Sequence, residues 1–320
     1  MFKRKENKQN RLKRILLKLL NIEGFDKETF DIVNPNVDNV SKNFYKLNDK
    51  TYILSSGFLD LKRKIKQVDI YFRFNPSIAL WNSSSEWKRV TPNINKKILI
   101  KVCLISLKNS IISFLSKYKL KFNIHLIHDG SDNEFNDNLI KLLDNNKINI
   151  YLHKSKIDGN RGSFLECCDQ VSKSEDLIFF IEDDYLFELD AIEEIIFTYS
   201  RISTLLNKDV FLCPSDYPFY YDSSYNTSLF IGKEYRWRYV GETLLTFIFS
   251  KEIFNNYKKK IRLVGENIND PFEKPLHNIF KEIPCLAPVK SLAYHLSRHV
   301  PAISEDWLSL WKKNYNQIIE

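Results

Sequence analysis

Three consecutive acids, Glu182-Asp183-Asp184, follow the apolar run Leu177-Ile178-Phe179-Phe180-Ile181 and lead into Tyr185-Leu186-Phe187. Adjacent carboxylates repel one another, so a cation held among them would relieve a real cost. Oxygen ligands at the end of an apolar run suit a hard divalent ion, Mn²⁺ or Mg²⁺, shared with a phosphate. A solvated acidic turn is the plainer reading of the same residues. The elements that carry the acids have to decide between the two.

A short apolar run bounded by polar residues predicts a buried strand of a parallel sheet. The acids then fall at its C-terminal end, where open α/β sheets bind their ligands. Upstream, residues 68–75 predict a first strand closed by Pro76, and 77–94 a loop. Length and spacing favour a largely buried helix over 96–118, with a strand at 98–105 as the rival. A second strand over 123–128 runs into Asp129-Gly130-Ser131-Asp132 and a helix over about 133–145. A third strand follows at 148–152, then Gly159-Asn160-Arg161-Gly162 and a helix near 163–173. This alternation predicts an α/β fold with a Rossmann-like, doubly wound, mostly parallel sheet.

Each strand of this half ends in polar residues that would face one crevice. They are Arg73 and Asn75, Asp129 with Ser131, Asn160 with Gly162, and the acids Glu182, Asp183 and Asp184. Singly, each is an ordinary turn or surface group. Together they suit a nucleotide, with polar groups for base and ribose and a metal for the diphosphate.

The chain has 320 residues with 43% hydrophobic content, enough for a sizeable core. The expected organisation is a basic tail over 1–20, an extension over 21–66, and one globular domain over 67–320, divided into halves at 67–205 and 206–320. No uninterrupted apolar run approaches the roughly 20 residues of a membrane span. Cys103, Cys167, Cys168, Cys213 and Cys285 contain no Cys-x-x-Cys pair and read as reduced thiols of a cytosolic protein. The net charge of +8 sits mostly in residues 1–20, where eight Lys or Arg oppose Glu6, so the remaining 300 residues carry 8 − 7 = +1. A broad nucleic-acid groove is therefore not expected. Leu12, Ile15, Leu16, Leu19 and Leu20 share helical spacing with the basic residues of that tail. A basic amphipathic helix of this kind lies on an anionic membrane surface or packs its Leu stripe on the domain.

Beyond the acids, 189–206 predicts a helix and 210–212 a strand, before an aromatic-rich stretch over 217–250 with irregular, antiparallel character. Asn269-Asp270-Pro271 predicts a helix start with Asp270 as N-cap. Trp237 and the neighbouring tyrosines could form a stacking surface or fill the core.

His128-Asp129-Gly130-Ser131-Asp132 resembles the Asp-Asp-Gly-Ser segment of GT-A glycosyltransferases, particularly the large family 2. Asn160-Arg161-Gly162 resembles the Asn-x-Gly that follows. Glu182-Asp183-Asp184, with Asp190-Ala191 opening a helix, is similar to the Asp-x-Asp region, nearest to the Glu-Asp-Asp of N-acetylglucosaminyltransferase I-type enzymes. The likeness covers roughly residues 68–200, with the motifs in order. Two departures stand: the first acid is Glu, and His128 occupies the place of the first Asp before Gly-Ser.

The resemblance implies a GT-A fold and a metal-dependent transferase. It would move a sugar from a nucleoside diphosphate sugar, UDP-linked as first expectation, to a glycan or lipid-linked acceptor, with inversion. It implies that Asp129 holds the uracil or ribose side, that Asp184 ligates Mn²⁺ or Mg²⁺, and that Glu182 lies near ribose or metal. A late histidine often completes such a metal site, and His295 is preferred to His299 because Leu292-Ala293-Tyr294 reads as a short strand. The base that deprotonates the acceptor would be Asp270, with Glu242 and Glu266 as rivals. Acceptors at the cytoplasmic face of a membrane would suit the basic tail. The competing readings are a sugar nucleotidyltransferase, which would need a Gly-rich phosphate loop near its start, and a non-catalytic scaffold bound through the tail.

Overall fold

Eight residues from Gln67 to Phe74 form β3, buried on both faces and hydrogen-bonded to a parallel strand on each side. In the computed structural model, residues 61–78, 95–221, 227–296 and 307–319 are described. Two short paired strands, β1 (Phe44–Lys46) and β2 (Tyr52–Leu54), are added at the level of the backbone. The expected tail helix over 1–20, His299 and most of 21–66 and 77–94 lie outside the described residues.

From β3 the chain runs through α1 (Lys96–Lys117), β4 (Lys121–His128), α2 (Asn133–Leu143), β5 (Ile148–Lys154) and α3 (Gly159–Gln170) to β6 (Leu177–Glu182). It winds outward from β3 to β4 and β5, then returns to the other side of β3 for β6. That reversal is a topological switch point, and it leaves a crevice beyond the C-terminal ends of β3 and β6. The expected helix–strand alternation holds throughout this half. Helix α3 starts four residues before the expected 163, at Gly159, whose φ of +88° a side chain would oppose.

Helix α1 is the rival-free outcome at 96–117, capped by Asn95, whose side chain accepts from the Ile98 N–H at 2.9 Å. By length and composition it would pass for a membrane span, a feature the sequence reading did not single out. Burial explains the composition: Ile100, Leu104 and Ile111 face the large sheet, while Leu99 and Val102 pack against Leu186, Tyr294 and Trp311. A helix covered on both sides is apolar nearly all round.

The second half is continuous with the first. After β7 (Tyr185–Phe187) and α4 (Ala191–Leu206) come β8 (Phe211–Leu212), β9 (Leu229–Ile231), β10 (Arg236–Val240) and β11 (Phe247–Ser250). Then follow α5 (Lys251–Glu266), α6 (Lys274–Phe280), β12 (Cys285–Pro288), β13 (Ala293–His295) and α7 (Trp307–Ile319). The main sheet has nine strands in the order β5-β4-β3-β6-β11-β8-β12-β10-β9. Strand β11 is antiparallel to both neighbours, so the sheet is parallel in its first half and mixed in its second. Strands β7 and β13 form a separate antiparallel pair beside the acids.

Two helices, α5 and α7, were not expected. The helix expected to start at Asp270 begins at Lys274, with Glu273 at its N-cap and Pro275 inside its first turn. All five cysteines are buried and unpaired.

Glu194 on α4 ties the second half to the first. Its buried carboxylate accepts from the N–H groups of Lys233 (3.0 Å) and Glu234 (2.8 Å), from Trp237 Nε1 (3.0 Å) and from Thr198 Oγ1 (2.8 Å). Replacing it with alanine strands several buried donors, each worth about 1–3 kcal/mol. Glu194→Ala is expected to lose at least about 3 kcal/mol in urea unfolding; a loss under about 1 kcal/mol would show that the carboxylate does not hold the hairpin.

Candidate active site

The crevice at the switch point is a cleft of about 470 Å³, a size that takes a small ligand. Arg73 and Asn75 reach it from β3, Asp129 from the end of β4, Asn160 and Ser163 from α3. Glu182, Asp183 and Asp184 enter from β6, His295 from β13, Lys96 from α1 and Glu273 from the start of α6.

Each of the three acids meets its own cation. Glu182 Oε1 lies 3.0 Å from Arg73 Nη2, Asp183 Oδ1 2.5 Å from Lys96 Nζ, and Asp184 Oδ2 3.3 Å from His295 Nε2. Glu182 ends β6, and Asp183 and Asp184 form the turn into β7, so neighbours in sequence reach a strand, a helix and a second sheet. Asp183 also accepts from the Asn75 N–H at 3.1 Å. His295 is set opposite Tyr185 by the β7–β13 register and stacks on its ring at 4.6 Å.

Burial pushes Glu182 up to about 6; the Asp184 charge adds to this and Arg73 opposes it. Asp183 is also raised, chiefly by burial and against the pull of Lys96. Asp184 is the exception: burial works against ionisation, but the His295 charge and hydrogen bond outweigh it and bring the carboxyl down to about 2. His295 is raised by Asp184 despite its burial. The charged pair is thus Asp184⁻–His295⁺, while burial favours protonation of Glu182 and Asp183 over that of Asp184.

Asp129 bridges the strand ends. Its Oδ2 accepts from Asn75 Nδ2 (3.2 Å) and from the Gly159 N–H (2.5 Å). Asn160 Oδ1 accepts from Arg73 Nη1 at 2.6 Å, which fixes the guanidinium between α3 and Glu182.

No group of three or more His, Cys, Asp or Glu arranged for a metal occurs among the described residues. The donor set nevertheless fits a dication in part. Asp184 Oδ1 is buried without a hydrogen-bond partner among the described residues, and His295 Nε2 lies beside the other oxygen. Mg²⁺ and Mn²⁺ bound in nucleotide sites take one or two protein ligands and fill the rest with phosphate and water.

Of the residues expected in the site, Arg73, Asn75, Asp129, Asn160, Glu182, Asp183, Asp184 and His295 line one cleft. Three do not. Ser131 hydrogen-bonds Asn136 at 2.5 Å, outside the lining. Gly162 serves packing: a Cβ there would meet the Ile157 carbonyl oxygen at 1.8 Å. Asp270 is exposed and lines a separate depression with Ile268 and Lys274. Its rivals also stay out of the lining, since Glu266 pairs with Arg262 at 2.9 Å and Glu242 is not among the lining residues. Trp237 is fully buried and belongs to the core.

Lys96 and Glu273 are the residues that sequence reading missed. The Pro275 signal, competing with Pro271 for the first turn, would have found Glu273. Nothing local marks Lys96.

The topology and the cleft define a doubly wound α/β protein with an acid-lined site at its switch point. No protein-family model matches the chain, and no curated protein matches it in sequence. Solved structures of similar course include a 4-diphosphocytidyl-2C-methyl-D-erythritol synthase from Anaerococcus prevotii, at 10% identity and TM-score 0.44, over 80% of this chain and 99% of that chain. A UDP-glucose pyrophosphorylase complexed with UDP-glucose matches at 10% identity and TM-score 0.42, over the same shares. The glycosyltransferase GlyE of Streptococcus pneumoniae matches at 11% identity and TM-score 0.43, over 80% of this chain and 63% of that chain. At these scores the likenesses carry no weight for the activity.

Gly162→Ala separates packing from ligand binding. It is expected to lower stability by about 1–3 kcal/mol in thermal unfolding, while the folded fraction keeps its ligand affinity. Unchanged stability with lost affinity would return Gly162 to the site.

Proposed function

We propose that the chain is a GT-A-type glycosyltransferase that takes a nucleoside diphosphate sugar, UDP-linked as first choice, and transfers the sugar to a hydroxyl of a glycan or lipid-linked acceptor. The observation that carries this reading is the cleft at the switch point, where Asp184 keeps a buried oxygen open beside His295 and two further acids are neutralised by Arg73 and Lys96. Asp184 and His295 would hold Mn²⁺ or Mg²⁺, which when bound supplies charge stabilisation to the leaving diphosphate. Arg73 and Lys96 add fixed positive charge along the same wall, in a partly buried setting where it acts strongly. Asn75 and Asp129, held to each other, take the base and ribose side.

Glu273 is assigned as the base in place of Asp270. It lines the cleft across from the acids, and burial raises its carboxyl above the usual range, toward the pH at which a general base works best. Its deprotonated carboxylate would take the proton of the attacking acceptor hydroxyl, with inversion at the anomeric carbon. Activity is then present above the Glu273 pKa and lost as pH falls through it.

The nucleotidyltransferase reading is weakened by the absence of any glycine between Gly57 and Gly130, where a phosphate loop after the first strand would fall. Work at the cytoplasmic face of a membrane belongs to the same proposal.

Two measurements test it. UDP with Mn²⁺ is expected to raise the unfolding temperature, and Asp184→Asn to remove the Mn²⁺-dependent part; no stabilisation by any nucleoside diphosphate would sink the reading. Glu273→Gln is expected to cut kcat by roughly 10²–10⁴ with donor affinity unchanged, while Asp270→Asn leaves kcat alone. The reverse pattern would restore Asp270 as base.

A further inference from the structure

Opposite the cleft, the N-terminal ends of the parallel strands share an edge that is rich in lysine. Lys62 and Lys66 precede β3, Lys119 precedes β4, Lys147 precedes β5, Lys173 precedes β6 and Lys208 precedes β8; all six are exposed. The strand registers place these starts on one side of the sheet, since Gln67 pairs with Lys121, Phe122 with Ile148 and Val68 with Leu177. None of the six ammonium groups forms an ion pair among the described residues, although the Lys66 backbone N–H donates to Asp176 at 2.7 Å. The acids of this edge are largely committed. Asp176 and Asp209 are both tied to Arg63, at 2.5 and 2.8 Å, and Glu175 lies 3.8 Å from Lys121. Asp144 and Glu252 remain.

Between Lys62, Lys66, Lys208 and Lys251 the edge sinks into a recess of about 800 Å³, which Glu175, Asp176, Asp209 and Glu252 also line. Ser203, buried in its wall, keeps a hydroxyl without a hydrogen-bond partner. Lysines spread over six adjacent strands span roughly 25 Å at strand spacing. They form a row across a sheet edge rather than a groove. Single-stranded nucleic acid needs stacking platforms as well as charge. Tyr118, beside the row, is held by Glu193 through its hydroxyl and packs on Phe114 and Phe197, and Tyr257, in the lining of the recess, donates its hydroxyl to Glu282 at 3.0 Å.

We infer that this edge is a docking surface for an anionic lipid bilayer, acting together with the basic residues 1–20. Juxtamembrane lysines each add about 1 kcal/mol of attraction to such a surface, or about fivefold in binding. Docked this way, the protein turns its cleft away from the headgroups by the length of β3, roughly 25 Å. The acceptor hydroxyl is then one carried clear of the bilayer surface. The docking inference does not depend on the chemistry proposed for the cleft.

Co-sedimentation of the full chain with phosphatidylcholine vesicles, with and without roughly a third phosphatidylglycerol, tests it. Binding is expected to require the anionic lipid and to fall with salt. Replacing Lys62, Lys66, Lys119 and Lys208 by Gln is expected to weaken it by roughly 600-fold, about fivefold for each lysine, with unfolding temperature and UDP binding unchanged. Replacing Lys154 and Lys290, on the cleft side, is expected to have little effect. A chain whose eight tail cations are Gln still binds, and loses binding when the edge is neutralised as well. Wild-type binding by the edge variant, dependence on the tail alone, or preference for single-stranded RNA over vesicles would each overturn the inference.

Discussion

Three neighbouring carboxylates in a half-closed cleft are tolerable only because each has a cation, and that pairing governs how the chain is arranged around them. Charges taken out of water need close partners, or they neutralise by shifting their pKa values. The cations come from three different elements: Arg73 from the adjacent strand, Lys96 from a helix and His295 from a second sheet. Each source carries a structural demand. Strand β6 must lie beside β3, β13 must pair with β7, and α1 must bring its first turn over the acids. Burial of α1 between two apolar clusters holds that first turn in place.

The pairing also shapes what the cleft accepts. With three acids and three cations the site is close to neutral as it stands, apart from Asp129 and Glu273. A dication arriving with a diphosphate adds little net charge, whereas either one alone upsets the balance. Asp184 is the hinge of this exchange, because it is the acid that stays ionised and keeps one oxygen open. A cation competing for Asp184 meets the His295 proton, so metal affinity and the protonation of His295 are linked.

The first half of the fold was legible because β3, β4 and β6 are buried on both faces and its turns carry their own chemistry. Leu177–Ile181 reads as a strand since no solvent-facing alternation interrupts it, and Asp132 announces α2 by capping the Phe135 N–H. The site residues at strand ends were legible for the same topological reason. What failed lay where local sequence had two solutions. Pro271 and Pro275 both offer a helix start, and the tertiary setting chose the second, which moved the acid in the cleft from Asp270 to Glu273. Gly162 sits in a motif-like context but answers to the Ile157 backbone, a contact no spacing rule contains. Lys96 acquires its role from a residue 87 positions away.

Composition misleads in an instructive way. Outside the tail the chain carries +1, which reads as electrostatically bland. Parallel strands all point the same way, however, so a local habit repeated at each strand is summed at one edge of the sheet. Here lysine precedes the strands, as at Lys66, Lys147, Lys173 and Lys208, and aspartate follows them, as at Asp129, Asp158, Asp183, Asp184 and Asp216. An antiparallel sheet would have interleaved the two and cancelled them. In this fold they separate across the length of a strand: the acids gather at the cleft, where Arg73, Lys96 and His295 offset three of them, and the lysines gather at the edge behind it. Net charge bears on solubility, but the distribution of charge decides which side of a protein meets an anionic partner.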